Sequence, residues 1–131
     1  MIVKLSQLAS ENQEVIILWL YGSRANHTHH SDSDYDLAIA FKTFLPDPLE
    51  TRLRPEMLAL LWQSALQLHE NQLSIIDINH ASISLASEVI RCDNVLFCRD
   101  TGRLWQEERR ISSRMELDVL YHIRNYGKNH E

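Results

Sequence analysis

The sequence predicts an α/β (α+β) fold in which a small mixed β-sheet has helices packed mainly on one face. Two near-continuous apolar runs, 15–21 and 35–41, are typical of strands that are buried on both faces. Segments with helical spacing of apolar residues alternate with these runs and with later, shorter ones. With 131 residues and 44% hydrophobic content, the whole chain, 1–131, is expected to form a single domain.

Composition and charge narrow the classes of function. The formal net charge is −5, from 13 Lys and Arg against 18 Asp and Glu. This balance argues against a surface that binds nucleic acid directly through many phosphate contacts. No apolar run is long enough to span a bilayer, and the N-terminus lacks a signal-peptide layout. We therefore expect a cytoplasmic protein with no membrane partner. Cys92 and Cys98 lack metal-binding spacing and are expected to be free thiols.

Apolar spacing and prolines predict the elements of the first half. Residues 3–13 suggest a short helix with Ser6 as a candidate N-cap. After the two strands, 42–54 is expected to be an irregular, mobile loop, because its prolines disfavour regular structure. Pro55 suits a first helical position, and this helix is expected to end near Asn71. Its predicted buried face consists of Met57, Leu58, Leu61, Ala65 and Leu68.

The second half continues with shorter elements. A strand, a helix, a brief strand and a long final helix are predicted at 73–78, 83–90, 95–98 and 101–126. One side of the final helix is traced by Leu104, Glu108, Ile111, Met115 and Val119, where Glu108 interrupts the apolar stripe. Trp62 and Trp105 are expected in the core, and Tyr21 carries no positional signal for nucleophilic chemistry.

A polar stretch between the first two strands is the candidate functional site. Asp34 and Asp36 open the second strand, and on a strand their i, i+2 spacing puts both carboxylates on one face. Paired carboxylates form the oxygen-only ligand set that Mg²⁺ prefers, with substrate phosphates completing the shell. Gly22 lets the backbone approach a ligand, and Ser23 stands where a helix start would present N–H groups to an anion. The alternative is a capped helix followed by a polar loop.

The full motif resembles that of a known family. Tyr-Gly-Ser-Arg-Ala at 21–25, followed by Ser-Asp-Ser-Asp-Tyr-Asp-Leu at 31–37, resembles the signature of the polymerase-β-type nucleotidyltransferase superfamily. The string is most similar to the minimal branch, the MNT domains, which are often the antitoxins of HEPN–MNT toxin–antitoxin pairs. The resemblance is sharp over 18–41 and weaker from there to residue 79. It implies the minimal nucleotidyltransferase fold.

The resemblance also implies roles for the residues of the motif. Asp34 and Asp36 would hold two Mg²⁺ ions on the triphosphate of ATP. Gly22 and Ser23 would bind the β- and γ-phosphates through N–H groups and the hydroxyl. In the family a third carboxylate comes from a neighbouring strand, and Asp77, an aspartate within an apolar run, stands where that residue is expected.

Alternatives stay open at three places in the site. Asp77 would be a catalytic metal ligand that takes the proton of the acceptor, or else would form a salt bridge or cap at the end of its strand. Arg24 would neutralise the leaving pyrophosphate, or would lie on a helix surface. Many relatives have arginines where this chain has histidines, and the latter are interpreted as solvated residues or weak phosphate contacts: His27, His29 and His30.

The activity implied by the resemblance is Mg²⁺-dependent protein adenylylation. AMP would pass from ATP to a tyrosine hydroxyl of a partner HEPN toxin, which would be neutralised. A chain of 131 residues is expected to have no room for a domain that holds the acceptor, so a protein partner would bring its own surface. The alternatives are a non-catalytic antitoxin that blocks the toxin by binding, and a nucleotidyltransferase for small molecules such as aminoglycosides. Nucleotide preference, the number of AMP units and the stoichiometry of a complex stay open.

Overall fold

A computed structural model describes residues 1–24, 34–69 and 71–129. The loop histidines of the candidate site lie outside these ranges: His27, His29 and His30. The elements of the described chain are, in order, α1 (Ile2–Glu11), β1 (Val15–Tyr21), β2 (Tyr35–Phe41), α2 (Pro48–Ala65), β3 (Leu73–Asp77), α3 (Ile83–Cys92), β4 (Val95–Cys98) and α4 (Thr101–Asn129). None of the helices in this part of the chain has the length and apolarity needed to cross a membrane.

The strands form one mixed sheet in the order β3-β2-β1-β4. β1 runs antiparallel to both β2 and β4. β2 runs parallel to β3, and α2 makes the crossover between them. All seven residues of β1 are buried, as expected for a strand covered on both faces. The predicted mixed sheet and α/β class are confirmed.

The described helices cover both faces of this sheet rather than mainly one, which corrects the sequence expectation. Alternate strand residues pack with α1 and α2 on what we call the α1/α2 face, including Leu5, Leu18, Leu37, Ile39, Leu58 and Trp62. The intervening strand residues pack with α3 and α4 on the α3/α4 face, including Ile17, Trp19, Ala38, Val89 and Ile111. Because both sets of side chains on β1 and β2 are apolar, each face of the sheet needs a helical cover.

The start and end of α2 differ from the sequence prediction. The helix spans Pro48–Ala65, so much of the expected loop is helical and Pro55 lies inside the helix. Asp47 caps it, because its Oδ1 accepts a hydrogen bond from the Leu49 N–H at 2.9 Å. Pro48 occupies the first turn, where a missing N–H removes no helical hydrogen bond. The prolines were predicted to break regular structure, whereas Pro48 begins the helix.

The buried side of α2 is rotated from the predicted one. Leu58 and Trp62 are buried, whereas Met57 and Leu61 are 59% and 66% exposed. A shift of one residue along a helix turns the buried face by about 100°, and the large Trp62 side chain lies on the inner side. Trp62 is thus a core residue as predicted, but Trp105 on α4 is 67% exposed, which corrects its assignment.

The chain around β4 holds α1 against the sheet. Ser6 lies inside α1 rather than at its start, and its hydroxyl donates to the carbonyl oxygen of Leu96 at 2.6 Å. Arg99, which follows β4, donates from Nη2 to the carbonyl oxygens of Ala9 and Ser10 at 3.3 and 3.1 Å. This guanidinium group satisfies carbonyl oxygens that the end of a helix leaves without intrahelical partners.

The inner side of α4 contains an acid, but not the one predicted. Glu107 and Ile111 are 5% and 1% exposed, so Glu107 rather than Glu108 interrupts the apolar stripe. Val119 is 47% exposed, so the buried stripe ends before it. A buried carboxylate at this position is costly unless it is fully hydrogen-bonded.

Three side chains satisfy that carboxylate and join α4 to the turn after β3; together with Glu107 they form what we call the Glu107 network. Asn79 Nδ2 donates to both Glu107 oxygens, at 2.9 and 3.1 Å. Arg103 Nε donates to it at 2.9 Å and Arg110 Nη2 at 2.8 Å. Arg103 also donates to the carbonyl oxygen of Phe41, the last residue of β2, at 3.1 Å. The network therefore links α4 to two strands.

The network also sets the ionisation of Glu107. Burial alone would raise the pKa of this carboxyl group. The hydrogen bonds from Asn79, Arg110 and Arg103, together with the charge of Arg110, outweigh burial and hold the pKa below its ordinary value of 4.5. Glu107 is therefore a paired anion in the folded protein.

Replacing Glu107 with Gln is expected to lower the free energy of unfolding by about 2–3 kcal/mol, because Arg103 and Arg110 lose the anion that pairs with them. Urea denaturation at neutral pH measures the change. Glu116→Gln, exposed on the same helix, is the matched control and should stay within about 0.5 kcal/mol of the wild type. Equal effects of the two variants would mean that the network contributes nothing to stability.

The same carboxylate predicts a pH dependence of stability. Because the folded-state pKa of Glu107 is depressed, the folded protein binds fewer protons there than the unfolded protein does. Its contribution is complete above the ordinary value of 4.5 and is lost as the pH falls through the folded-state pKa. The difference in unfolding free energy between the wild type and Glu107→Gln should therefore shrink in acid. Urea titrations at several pH values test this, and a constant difference would contradict it.

Candidate functional site

Gly22 lets the chain turn at the end of β1 in contact with Asp36. Its φ is +75°, in the left-handed region that glycine adopts without steric cost. A Cβ atom at this position would lie 2.5 Å from Oδ2 of Asp36, which is closer than real Cβ contacts. The Gly22 backbone and the Asp36 carboxylate therefore touch, and the structure brings these two candidate residues together.

Strand register places three polar side chains in one row across the sheet. Tyr21 on β1 pairs with Asp36 on β2, and Asp36 pairs with Ser74 on β3. Paired residues of neighbouring strands point to the same face of a sheet. Ala38, two residues after Asp36, packs on the α3/α4 face, so the row lies on that face. We call it the Tyr21–Asp36–Ser74 row.

The electrostatics of this row favour a bound cation. Burial, then the charge of Asp34, then that of Glu88 on α3, raise the pKa of Asp36 above 3.8. Burial is also the largest cause that raises the pKa of Tyr21 to about 12, followed by the charges of Asp36 and Glu88. The Asp36 carboxylate is thus partly desolvated among other anions, and a cation shared with the exposed Asp34 would offset that repulsion.

Ser23 and Arg24 follow the glycine. Ser23 is half-buried. The guanidinium carbon of Arg24 lies 3.9 Å from the centre of the Tyr35 ring, and Tyr35 packs with the cluster on the α1/α2 face. The structure therefore stacks Arg24 toward the face opposite Asp36, and phosphate binding by Ser23 and Arg24 stays a prediction.

Asp77 does not join the other two carboxylates. It pairs with Ile39 in the parallel register and shares the α1/α2 face with that residue, whereas Asp36 points to the α3/α4 face. Its side chain is 4% exposed and its Oδ2 lies 3.7 Å from Nη2 of Arg54. Its Oδ1 accepts the Asn79 N–H at 3.0 Å. These contacts match the salt bridge and cap that were the alternative to catalysis.

The described residues fit a metal ion only in part. Asp34 and Asp36 supply two carboxylates of the type that Mg²⁺ prefers, and the Gly22 backbone lies against the Asp36 carboxylate. Across residues 1–24, 34–69 and 71–129, however, no group of three or more His, Cys, Asp or Glu side chains is arranged to hold a metal ion. The geometry thus supports a site with two carboxylates rather than the predicted three.

Sequence reasoning missed the neighbours of Asp36 in this row. Tyr21 immediately precedes Gly22, so its position at the strand end was an available signal that the prediction did not use. Ser74 and Glu88 gave no signal, because the register of a parallel pair and the placement of α3 depend on contacts distant in sequence. The surroundings of Asp36 therefore include residues of β3 and α3 that lie outside the sequence motif.

A helix-covered mixed sheet with a glycine turn against an acidic strand defines a nucleotidyltransferase-type protein. The family model for Polymerase beta, Nucleotidyltransferase, matches residues 3–102. This match covers most of the chain, and the chain belongs to that family. No curated protein matches it by sequence.

Solved structures share the fold at low sequence identity. A chain from the crystal structure of a toxin–antitoxin with AMP-PNP is 23% identical, with a TM-score of 0.67 over 90% of both chains. A chain from the MntA–HepT toxin–antitoxin is 21% identical, with a TM-score of 0.61 over 90% of this chain and 87% of that one. A third structure contains a tri-AMPylated Shewanella oneidensis HEPN toxin in complex with an MNT antitoxin. A chain from it is 21% identical, with a TM-score of 0.57, and the match covers 90% of this chain and 84% of that one.

Gly22→Ala is expected to lower the free energy of unfolding by at least about 1–2 kcal/mol, because a side chain there is strained and collides with Asp36. The matched control is Gly102→Ala: Gly102 lies within α4 and its added Cβ would meet only one oxygen of Asp100, at 3.2 Å. The control should change the free energy by no more than about 0.5 kcal/mol. Urea denaturation compares them, and an unaffected Gly22→Ala protein would contradict the contact.

Proposed function

We propose that this chain is the antitoxin of a HEPN-type toxin and transfers AMP from ATP to a tyrosine hydroxyl of that toxin. The observation that carries the proposal is the contact between Gly22 and Asp36 in a chain of the nucleotidyltransferase family. The shared fold with chains from toxin–antitoxin structures, one with AMP-PNP and one with a tri-AMPylated HEPN toxin, supports the choice of nucleotide and acceptor.

In this proposal the strand start and the glycine turn bind the nucleotide. Asp34 and Asp36 would hold Mg²⁺, which when bound neutralises phosphate charge during the transfer. The turn at Gly22 lies against Asp36, and the N–H groups that follow it would donate to phosphate oxygens. Burial and the charges of Asp34 and Glu88, which raise the pKa of Asp36, favour binding of the cation together with the nucleotide.

The proposed transfer forms one bond and breaks one. The tyrosine oxygen of the toxin bonds to the α-phosphorus of ATP, while the bond from that phosphorus to the bridging oxygen breaks. Pyrophosphate leaves with the bonding electron pair, and the tyrosine proton passes to solvent. The chain contributes position and charge, as in other phosphoryl-group transfers.

A non-catalytic antitoxin is the second candidate function. The observation in its favour is the position of Asp77, which is buried and paired with Arg54 on the face opposite Asp36. A protein that neutralises a toxin by surface contact alone does not need a third carboxylate near the other two. Transfer and binding therefore have to be measured separately.

Asp36→Asn is expected to reduce AMP transfer by more than about a hundredfold, because it removes a ligand of the cation. Its unfolding free energy in metal-free buffer should not fall, since a desolvated anion among like charges is removed. Mass spectrometry of a candidate HEPN toxin after incubation with this chain, ATP and Mg²⁺ counts the added AMP units. Urea denaturation gives the stability.

Asp77→Asn is the matched comparison. It should keep AMP transfer within about threefold of the wild type while lowering the unfolding free energy by about 1 kcal/mol, because only the contacts with Arg54 and the turn are weakened. Loss of transfer in a folded Asp77→Asn protein would restore the three-carboxylate mechanism. Neutralisation of the toxin by wild type and Asp36→Asn alike, with no AMP on the toxin, would favour the non-catalytic antitoxin.

A further inference from the structure

We propose that this site retains one divalent cation with its nucleotide rather than two, because Ser74 takes the place on β3 where a third carboxylate would face Asp36. This inference deepens the proposed function and rests on it for the nucleotide.

The register identifies the residue of β3 that lies beside Asp36. Asp36 pairs with Ser74 in the parallel ladder, and Ile39 pairs with Asp77. The two β3 positions are three residues apart, about 10 Å along a strand at ~3.3 Å per residue, and an odd separation also turns their side chains to opposite faces. Ser74 is exposed, whereas Asp77 is 6% exposed. Of these two β3 residues, Ser74 is the one placed to reach a ligand on Asp36.

The chemistry of Ser74 differs from that of an acid. A neutral hydroxyl is a weaker ligand for Mg²⁺ than a carboxylate, and it adds no charge to offset a second dication. Two cations close together repel each other, and protein carboxylates and phosphates have to balance that repulsion. With Asp34 and Asp36 as the carboxylate pair and a hydroxyl on β3, the protein supplies carboxylate oxygens for one cation associated with the triphosphate.

Asp77 cannot supply the missing charge by a small movement. Its carboxylate is held by Arg54 at 3.7 Å and by the Asn79 N–H at 3.0 Å. Asn79 is in turn fixed by the Glu107 network. Turning Asp77 to the other face would break these contacts and reverse the alternation of β3.

Among the described residues, Glu88 is the acid besides Asp34 whose charge acts on Asp36. It is exposed on α3, and it forms no three-acid metal group with other described residues. Glu88→Gln therefore belongs in the experiment as a test of a rival third ligand.

Equilibrium dialysis tests the inference without catalysis. The purified protein is dialysed against Mn²⁺ and a non-hydrolysable ATP analogue, and both the retained metal and the retained analogue are measured. The wild type should retain one Mn²⁺ per analogue. Ser74→Asp should retain two, because the row then contains the third carboxylate. The isosteric neutral control, Ser74→Asn, should retain one, and Glu88→Gln should also retain one.

The outcomes separate this inference from the proposed function. Two Mn²⁺ per analogue on the wild type would overturn the inference and leave the proposed function intact; loss of one of them in Glu88→Gln would assign the third ligand to Glu88. A folded Ser74→Asp protein that still retains one Mn²⁺ per analogue would also overturn the inference. If that variant does not fold, the ratio of Mn²⁺ to analogue on the wild type decides between one cation and two. One Mn²⁺ on the wild type without AMP transfer to the toxin would sustain the inference and remove the proposed function. No retained analogue would overturn both.

Discussion

The buried carboxylate of Glu107 is the interaction on which the arrangement of the fold depends. Without hydrogen-bonding partners, this carboxylate would be an isolated buried anion on the inner side of α4, and it would destabilise the folded state. Asn79, Arg103 and Arg110 therefore have to converge on it. Asn79 fixes the turn after β3, and Arg103 reaches the end of β2 through the Phe41 carbonyl oxygen. The position of α4 on the sheet and the end of the parallel strand pair are consequently set by the same carboxylate.

The two ends of the parallel β2–β3 pair differ in how their charged side chains are neutralised. At the end of β2 and β3, the charged side chains form ion pairs: Asp77 pairs with Arg54, and Glu107 pairs with Arg103 and Arg110. At the start of the same strands, Asp36 is half-buried, is acted on by the charges of Asp34 and Glu88, and pairs with the exposed Ser74. The end of the pair therefore has charges that the protein itself neutralises, and its start has the carboxylates for which we propose a bound cation.

The sequence was sufficient for β1, β2, the mixed sheet and the residues of the glycine turn, because these depend on local apolar runs and on one motif. The sequence was insufficient to predict on which face of the sheet Asp77 lies. Leu73 and Ile75 share the alternation of Asp77, and Ile76 shares that of Ser74, so both faces of β3 are apolar and neither pattern indicates which one meets Asp36. That choice depends on the register with β2, which contacts distant in sequence determine.

The start of α2 and its buried face escaped prediction for a related reason. Pro48 and Pro55 have the same local preference, and only the capping contact of Asp47 shows which proline begins the helix. Apolar residues lie all around α2, so spacing alone did not reveal that Trp62 faces the core while Leu61 does not. Packing partners, not periodicity, decide the rotation of such a helix.

The environment of Tyr21 bears on whether the proposed transferase would modify its own tyrosine. Under the proposed function, the protein modifies tyrosines and yet carries one beside its own nucleotide site. Burial and the neighbouring anions raise the pKa of Tyr21 to about 12, so the phenol keeps its proton, and the residue is 8% exposed on a central strand. A protonated, immobile phenol is a poor nucleophile and cannot swing into line with the leaving group. Under the proposed function, burial in the strand would therefore disfavour modification of Tyr21 itself.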